Sequence, residues 1–197
     1  RAGDRVLEVA CGPGPNFSSI RERIGPTGEL FAFDISPSML RVSRRRITTQ
    51  DDHVELFLAN GSYLPFADAS FDALLHLGTL NRFPDVPRAL REMARVVKPG
   101  GKVVAGDEGV GPWLSGTPYG ALLDRFGGLF KGEAPLQDLP ENAEAVRVQW
   151  LLGHAYYVID FRVGSAAPQA NLDVLLPGKS FTVRQALEAS AKPAPKT

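Results

Sequence analysis

The sequence predicts an α/β fold: a mostly parallel sheet flanked by helices and closed by an antiparallel terminal hairpin. Three observations carry that expectation. Apolar runs alternate with helix-like segments from Arg5 to Ala105. The first run passes into a glycine-rich turn, Val6-Leu7-Glu8-Val9-Ala10-Cys11-Gly12-Pro13-Gly14-Pro15, and the second ends on an acid, Asp34. Past Ala105 the pattern changes, and two β-rich runs, Glu144 to Leu152 and Ala155 to Val163, stand almost back to back. Alternation of strand and helix signals is the mark of a parallel sheet with crossover helices.

Each element has a local reason. Arg5 to Ala10 reads as a buried strand, and Phe17 to Ile24 as a short helix stopped by Gly25-Pro26. Glu29 to Asp34 is the second strand. Ser36 caps the next helix with Pro37 at its first position, where a missing N–H costs nothing. That helix is expected to reach about Thr49. Val54 to Ala59 and Phe71 to Leu77 are the third and fourth strands. Asp85 caps a helix over Pro87 to Val97, in which Leu90, Met93, Ala94 and Val97 recur at helical spacing. Lys98-Pro99-Gly100-Gly101 ends it and turns into a fifth strand, Lys102 to Ala105. A Gly-rich, aromatic stretch from Trp113 to Glu133 carries a helix over Pro118 to Phe130. Gly153-His154 reads as a two-residue hairpin connection. Beyond Gly164 come a polar linker, a short strand at Leu172 to Leu176 and a last helix near Thr182. The expected organisation is one domain over 1–164, with an acceptor-side insertion at about 109–143, an extension over 165–191 and a disordered tail over 192–197.

Composition narrows the function. The 197 residues suffice for one domain with a proper core. Lys plus Arg and Asp plus Glu each number 22, so the chain lacks the basic excess that nucleic acid or an anionic membrane calls for. No apolar stretch is long enough for a membrane span, and no signal peptide is visible. The single cysteine, Cys11, fits a reducing compartment, and a cytoplasmic location is expected. Nothing in the sequence sets an oligomeric state.

The glycine turn and the acid point to a ligand. Gly12 and Gly14 lack the Cβ that would keep a backbone away from a bound molecule. An acid at the end of the next strand is placed to accept hydrogen bonds from a ribose diol. A nucleoside-bearing small molecule is therefore the first expectation.

Four stretches, in order, carry a family resemblance. They are Leu7-Glu8-Val9-Ala10-Cys11-Gly12-Pro13-Gly14; Phe33-Asp34-Ile35-Ser36-Pro37-Ser38-Met39-Leu40; Asn60-Gly61-Ser62-Tyr63-Leu64-Pro65-Phe66 with Ser70-Phe71-Asp72; and Leu90 to Gly101. Over roughly residues 1–110 the chain resembles a class I S-adenosylmethionine-dependent methyltransferase, of the broad group that includes the quinone-biosynthesis C-methyltransferases. The resemblance implies a Rossmann-like sheet and S-adenosyl-L-methionine as cofactor. It implies that Gly12 and Gly14 cradle the cofactor, with Glu8 orienting the turn from below. Asp34 and Ile35 would lie at the ribose, and Met39 on the adenine face. Asn60, Gly61 and Ser62 would lie on the adenine edge, and the backbone at Leu77 and Gly78 near the methionine ammonium. Two departures stand out. Ala10 occupies a position that is usually Gly, where its methyl is expected to crowd the ligand, and Asn60 one that is often Asp. In relatives, helices upstream of the point where this chain begins often cover cofactor and acceptor.

Methyl transfer from a sulfonium is an in-line displacement for which a protein supplies proximity, alignment and a dry site. Should the acceptor have to lose a proton, the base candidates are His76, Asp107, Glu108 and His154, all expected at the carboxyl edge of the sheet. No metal-ligand spacing is apparent. Trp113, Tyr119, Phe126, Phe130, Trp150, Tyr156 and Tyr157 suggest a small apolar or aromatic acceptor. Two alternatives share the glycine turn: a cofactor-binding domain or partner subunit without catalysis, and an NAD(P)-dependent oxidoreductase. The second is disfavoured because the third glycine is missing from Gly12-Pro13-Gly14-Pro15-Asn16-Phe17.

Overall fold

The computed structural model describes residues 1–47, 54–114, 116–125 and 132–165. The chain divides into a compact unit, Arg1–Ala166, and a second unit, Ala167–Thr197. The strand expected at Leu172 to Leu176, the helix near Thr182 and the tail lie outside the described residues.

Among the described residues seven strands form one sheet: β1 (Arg5–Val9), β2 (Glu29–Asp34), β3 (Val54–Leu58), β4 (Phe71–Leu77), β5 (Val97–Glu108), β6 (Ala143–Leu151) and β7 (Tyr156–Val163). Their order is β3-β2-β1-β4-β5-β7-β6. The first five are parallel, and β7 runs antiparallel to both β5 and β6. Among the described residues four α-helices accompany them: α1 (Phe17–Ile24), α2 (Pro37–Arg44), α3 (Val86–Val96) and α4 (Pro118–Asp124). The expected mixed sheet is therefore present.

The two faces of the sheet follow from the period of the strands. Leu7 and Val9 pack with Phe31, Phe33, Leu90 and Met93, the last two supplied by α3. Val6 packs on the opposite face with Phe17, Ile24, Leu30 and Ala32. Fully burying a side chain such as Leu90 or Met93 contributes roughly 1.5–3 kcal/mol, so α3 is held mainly by its apolar stripe. Its start is fixed by Asp85, whose Oδ1 accepts the Arg88 N–H at 2.9 Å. Ser36 caps α2 in the same way, accepting from Met39 N–H at 3.4 Å.

Four expected boundaries move. The Lys98-Pro99-Gly100-Gly101 turn lies inside β5, as a bulge between the Phe71–Val97 and Ala73–Lys102 pairs. The helix α2 ends at Arg44, and α4 at Asp124, where reach to Thr49 and to Phe130 was expected; residues 48–53 and 126–131 lie outside the described residues. The hairpin connection takes four residues, because Leu151 pairs with Tyr156. Leu152, Gly153 and His154 all adopt left-handed φ there, at 50°, 67° and 65°.

The strand order reverses between β1 and β4. Connections leaving β1 run toward β2, while β4 lies on its other side, so the carboxyl ends of these strands diverge and leave a crevice. Ligands of open α/β sheets bind at such a point.

Candidate functional site

A cavity of about 520 Å³ opens at that crevice. Its volume lies in the range of small-molecule sites. Glu8, Ala10 and Gly12 line it from the end of β1, and Asp34, Ile35 and Met39 from the end of β2 and the start of α2. Asn60 and Gly61 come from beyond β3, and Leu77, Gly78 and Thr79 from the end of β4.

The β1 turn is built by backbone conformation and by Asp34. Gly12 and Gly14 adopt φ of 54° and 73°. Ala10 is also left-handed, at 53°, a conformation that costs an L-residue roughly 1–2 kcal/mol. The main constraint on Ala10 is therefore its own backbone, a second reason for glycine there. Gly14 does not line the cavity; a Cβ on it would lie 2.5 Å from the Phe17 ring, so it closes the turn against α1.

Asp34 is buried, and both of its oxygens are already engaged. Oδ2 accepts the Gly12 N–H at 2.8 Å, and Oδ1 accepts the Ser36 N–H at 2.8 Å. A carboxylate oxygen has two lone pairs, so each can still accept from a ligand hydroxyl.

Glu8 is buried on the α1 face of β1 and reaches the cavity floor. Its Oε1 accepts from Asn16 Nδ2 at 2.8 Å, while Oε2 has no partner. Burial pushes its carboxyl up to about 7, against the hydrogen bond from Asn16. An unpaired buried oxygen beside a cavity fits a ligand that carries a donor or a cationic group. Cys11, behind the turn, is pushed up to about 12 by burial and by the charges of Glu8 and Asp34, so it stays a thiol.

On the β3 side, Asn60 Oδ1 accepts the Ser62 N–H at 2.9 Å and shapes the loop. Ser62 is buried behind Asn60 and Gly61 and does not line this cavity. Gly61 abuts Phe83: a Cβ there would lie 2.5 Å from the ring.

The four base candidates do not reach the cavity. His76 is fully buried in β4, with Nδ1 2.9 Å from the Val9 carbonyl oxygen and its ring edge-on to Phe83. Burial lowers its pKa, opposed by that hydrogen bond and by the Asp107 charge. Strand alternation explains the correction, since Leu77 presents itself to the cavity where His76 faces the core. Asp107 is buried and accepts N–H bonds from Thr79 at 2.9 Å, Asn81 at 2.6 Å and Glu108 at 2.9 Å. Burial raises its pKa, but the hydrogen bond shared with Glu108 and these N–H donors outweigh that and hold it below the usual carboxylate range. Glu108 is raised by the same shared hydrogen bond and then by burial. His154 does lie at the carboxyl edge, near the Glu108–Tyr156 pair, but it is exposed and packs edge-on to Trp113.

The expected aromatic pocket is also corrected in part. Trp113, Trp150 and Tyr157 form an edge-to-face series with centroids 5.4 and 5.9 Å apart that packs on the hairpin. None of the three lines the cavity, nor do Tyr119 and Tyr156; Phe126 and Phe130 lie outside the described residues. The cavity's outer wall is the segment after β4: Thr79, Arg82, Phe83 and Pro84. Sequence reading passed over this segment. The available signal was its position, between the fourth strand and the Asp85 cap.

Comparison with known proteins follows this geometry. A family model described as methyltransferase domain matches residues 7–105. The demethylmenaquinone methyltransferase of Listeria monocytogenes serotype 4a is 42% identical over 106 residues, which are 53% of this chain and 45% of that protein. The ubiquinone/menaquinone biosynthesis C-methyltransferase UbiE of Chromobacterium violaceum is 42% identical over 103 residues, 52% of this chain and 42% of that one. The chain thus spans less than half the length of these relatives. Among solved structures, a SAM-dependent methyltransferase from Aquifex aeolicus superposes with a TM-score of 0.58 at 18% identity, covering 83% of this chain and 84% of that one. Haemonchus contortus phosphoethanolamine N-methyltransferase 2, in complex with S-adenosyl-L-methionine, gives 0.66 at 14% identity, covering 84% and 50%.

Proposed function

The chain belongs to the class I S-adenosylmethionine-dependent methyltransferase family, and from that membership we propose that it methylates a small aromatic acceptor of the quinone type. The observation that carries this reading is the cavity at the sheet's reversal point, with Asp34 and the Gly12 turn at one end and the apolar wall of Leu77, Phe83 and Pro84 at the other. Similarity to the quinone-biosynthesis methyltransferases supports the acceptor class.

The residues present fit the cofactor. Asp34 keeps free lone pairs for a ribose diol, and Glu8 Oε2 lacks a partner. Ile35 and Met39 offer exposed apolar surface within the cavity for an adenine ring. S-adenosylmethionine, when bound, supplies a methyl group on a sulfonium whose C–S bond breaks with its electron pair going to sulfur. The chain's part is to hold the cofactor by Asp34, Glu8 and the turn, and to exclude water with Phe83 and Pro84. No expected base faces the cavity. A reduced quinone fits this, because its ring hydroxyls make a ring carbon nucleophilic: that carbon forms the bond to the methyl group as the C–S bond breaks, and the proton it carried then leaves to solvent.

Incubation with methyl-labelled S-adenosylmethionine and a reduced demethylmenaquinone bearing a short tail tests the reading. Label should appear on the ring. Cofactor binding without transfer to any member of a panel of reduced quinones would contradict it and favour a non-catalytic binding domain. Asp34→Ala should weaken cofactor binding by at least about 1 kcal/mol, since a charge-assisted hydrogen bond and the brace on Gly12 are lost together; calorimetry gives the number, and unchanged affinity would refute the role of Asp34.

A further inference from the structure

Among the residues lining the cavity, Arg82 carries the only positive charge, set against the acids Glu8 and Asp34. It stands on a short 3₁₀ turn, Leu80–Arg82, directly after β4. That turn is held unusually firmly for an exposed loop. The buried Asp107 carboxylate accepts the N–H of Thr79 and of Asn81. Asn81 Oδ1 accepts from the Tyr157 hydroxyl at 3.0 Å, and Asn81 Nδ2 donates to the Glu108 carbonyl at 2.7 Å. Thr79 is kept left-handed, at φ 81°. Leu80 is fully buried, and the Phe83 ring is wedged between His76 and Gly61. Strain and anchoring of this kind fix the backbone from which Arg82 projects. Arg82 itself is exposed, and among the described residues it forms no ion pair with a carboxylate.

We propose that Arg82 is the acceptor-recognition residue: presented by the turn that Asp107 braces, its guanidinium selects an acceptor that carries an anionic oxygen. This rests on the methyltransferase reading. The cavity already holds the Glu8 and Asp34 carboxylates, and Glu108 feels the Arg82 charge without reaching ion-pair distance. The Arg82 guanidinium therefore keeps its N–H donors for a ligand, and paired N–H donors match an oxyanion. Asp107 is then a positioning residue. It does not touch the acceptor, but it sets where Arg82 stands.

The test uses two probes of one shape and different charge, 2-naphthoate and 2-naphthamide, titrated into the chain saturated with S-adenosylhomocysteine. Wild type should bind the carboxylate about tenfold or more tighter than the amide, the scale of one charge-assisted hydrogen bond. Arg82→Gln should abolish that preference and leave amide affinity within about twofold, and Arg82→Lys should retain part of it. Asp107→Asn should reduce the preference without changing affinity for S-adenosylhomocysteine. Since Asp107 is buried, its variant can fail to fold, and the exposed Arg82 variants then decide. Equal affinity for the two probes in wild type, or a preference that survives Arg82→Gln, would overturn the proposal while leaving the methyltransferase reading intact. Loss of S-adenosylhomocysteine binding in Arg82→Gln would also overturn it, by assigning the guanidinium to the cofactor's carboxylate. Wild type that binds no S-adenosylhomocysteine would overturn both.

Discussion

At the scale of single residues, the site is defined by two side chains in costly places. Ala10 holds a left-handed backbone at φ 53°, where glycine would be unstrained. Ala10→Gly should therefore raise thermal stability, by up to about 1 kcal/mol after the added unfolded-state entropy of Gly is subtracted. Cofactor affinity should be equal or tighter; a lower melting temperature would mean that the methyl's packing against the core outweighs the strain. Glu8 is the second. Its carboxyl is raised from 4.5 to about 7 by burial. A raised acid contributes stability that is fully present below its unfolded value and lost as pH rises through the folded one. The loss by pH 8 is about 3 kcal/mol on the scale of 1.4 kcal/mol per pKa unit. Denaturant melts of Glu8→Gln should lack this decline and show a variant more stable than wild type at pH 8. Wild-type stability that stays flat across the window would refute the assignment. A cationic group bound beside Oε2 would restore the ionised form, so cofactor binding near neutral pH should release protons in wild type and not in Glu8→Gln.

At the scale of elements, the wall after β4 and the loop after β3 are joined through Phe83 and Gly61. Gly61→Ala places a methyl 2.5 Å from the Phe83 ring, and overpacking of that kind costs typically about 1–3 kcal/mol. Because Phe83 and Gly61 both line the cavity, the variant should lose cofactor affinity by more than it loses stability. A purely structural contact would show equal losses, or stability loss alone, when calorimetry is set beside thermal melts. Strands and capped helices were legible in the sequence because their causes are local: the apolar run of Val6 to Val9, the Ser36 and Asp85 caps, the Pro37 start. The role of the 79–84 segment was not, because it depends on Asp107 and Tyr157, which lie far along the chain and meet Thr79 and Asn81 only in the folded sheet. His76 and Asp107 read as strand-end bases for the same reason. Sequence places them at the correct edge, but the pleat turns His76 inward and the N–H donors of Thr79, Asn81 and Glu108 consume Asp107.

At the scale of the whole molecule, the order β3-β2-β1-β4-β5-β7-β6 brings the ends of β1, β2, β3 and β4 to one crevice. Residues as distant as Glu8 and Pro84 thereby line one cavity, as do ten of the twelve cofactor-side residues expected from the sequence, the exceptions being Gly14 and Ser62. The glycine turn and Asp34 were legible because a tight turn and a strand-end acid need specific residue types. Trp113, Trp150 and Tyr157 were expected to mark the acceptor side but pack on the hairpin, because composition shows that rings are present and not which face they cover. Everything functional depends on the crevice being a nucleoside site. The most direct measurement is calorimetric titration of the chain with S-adenosylmethionine, S-adenosylhomocysteine and NAD in parallel. Saturable one-to-one binding of the first two, with none of the third, is the predicted result; binding of NAD, or of no member of the three, would contradict the account.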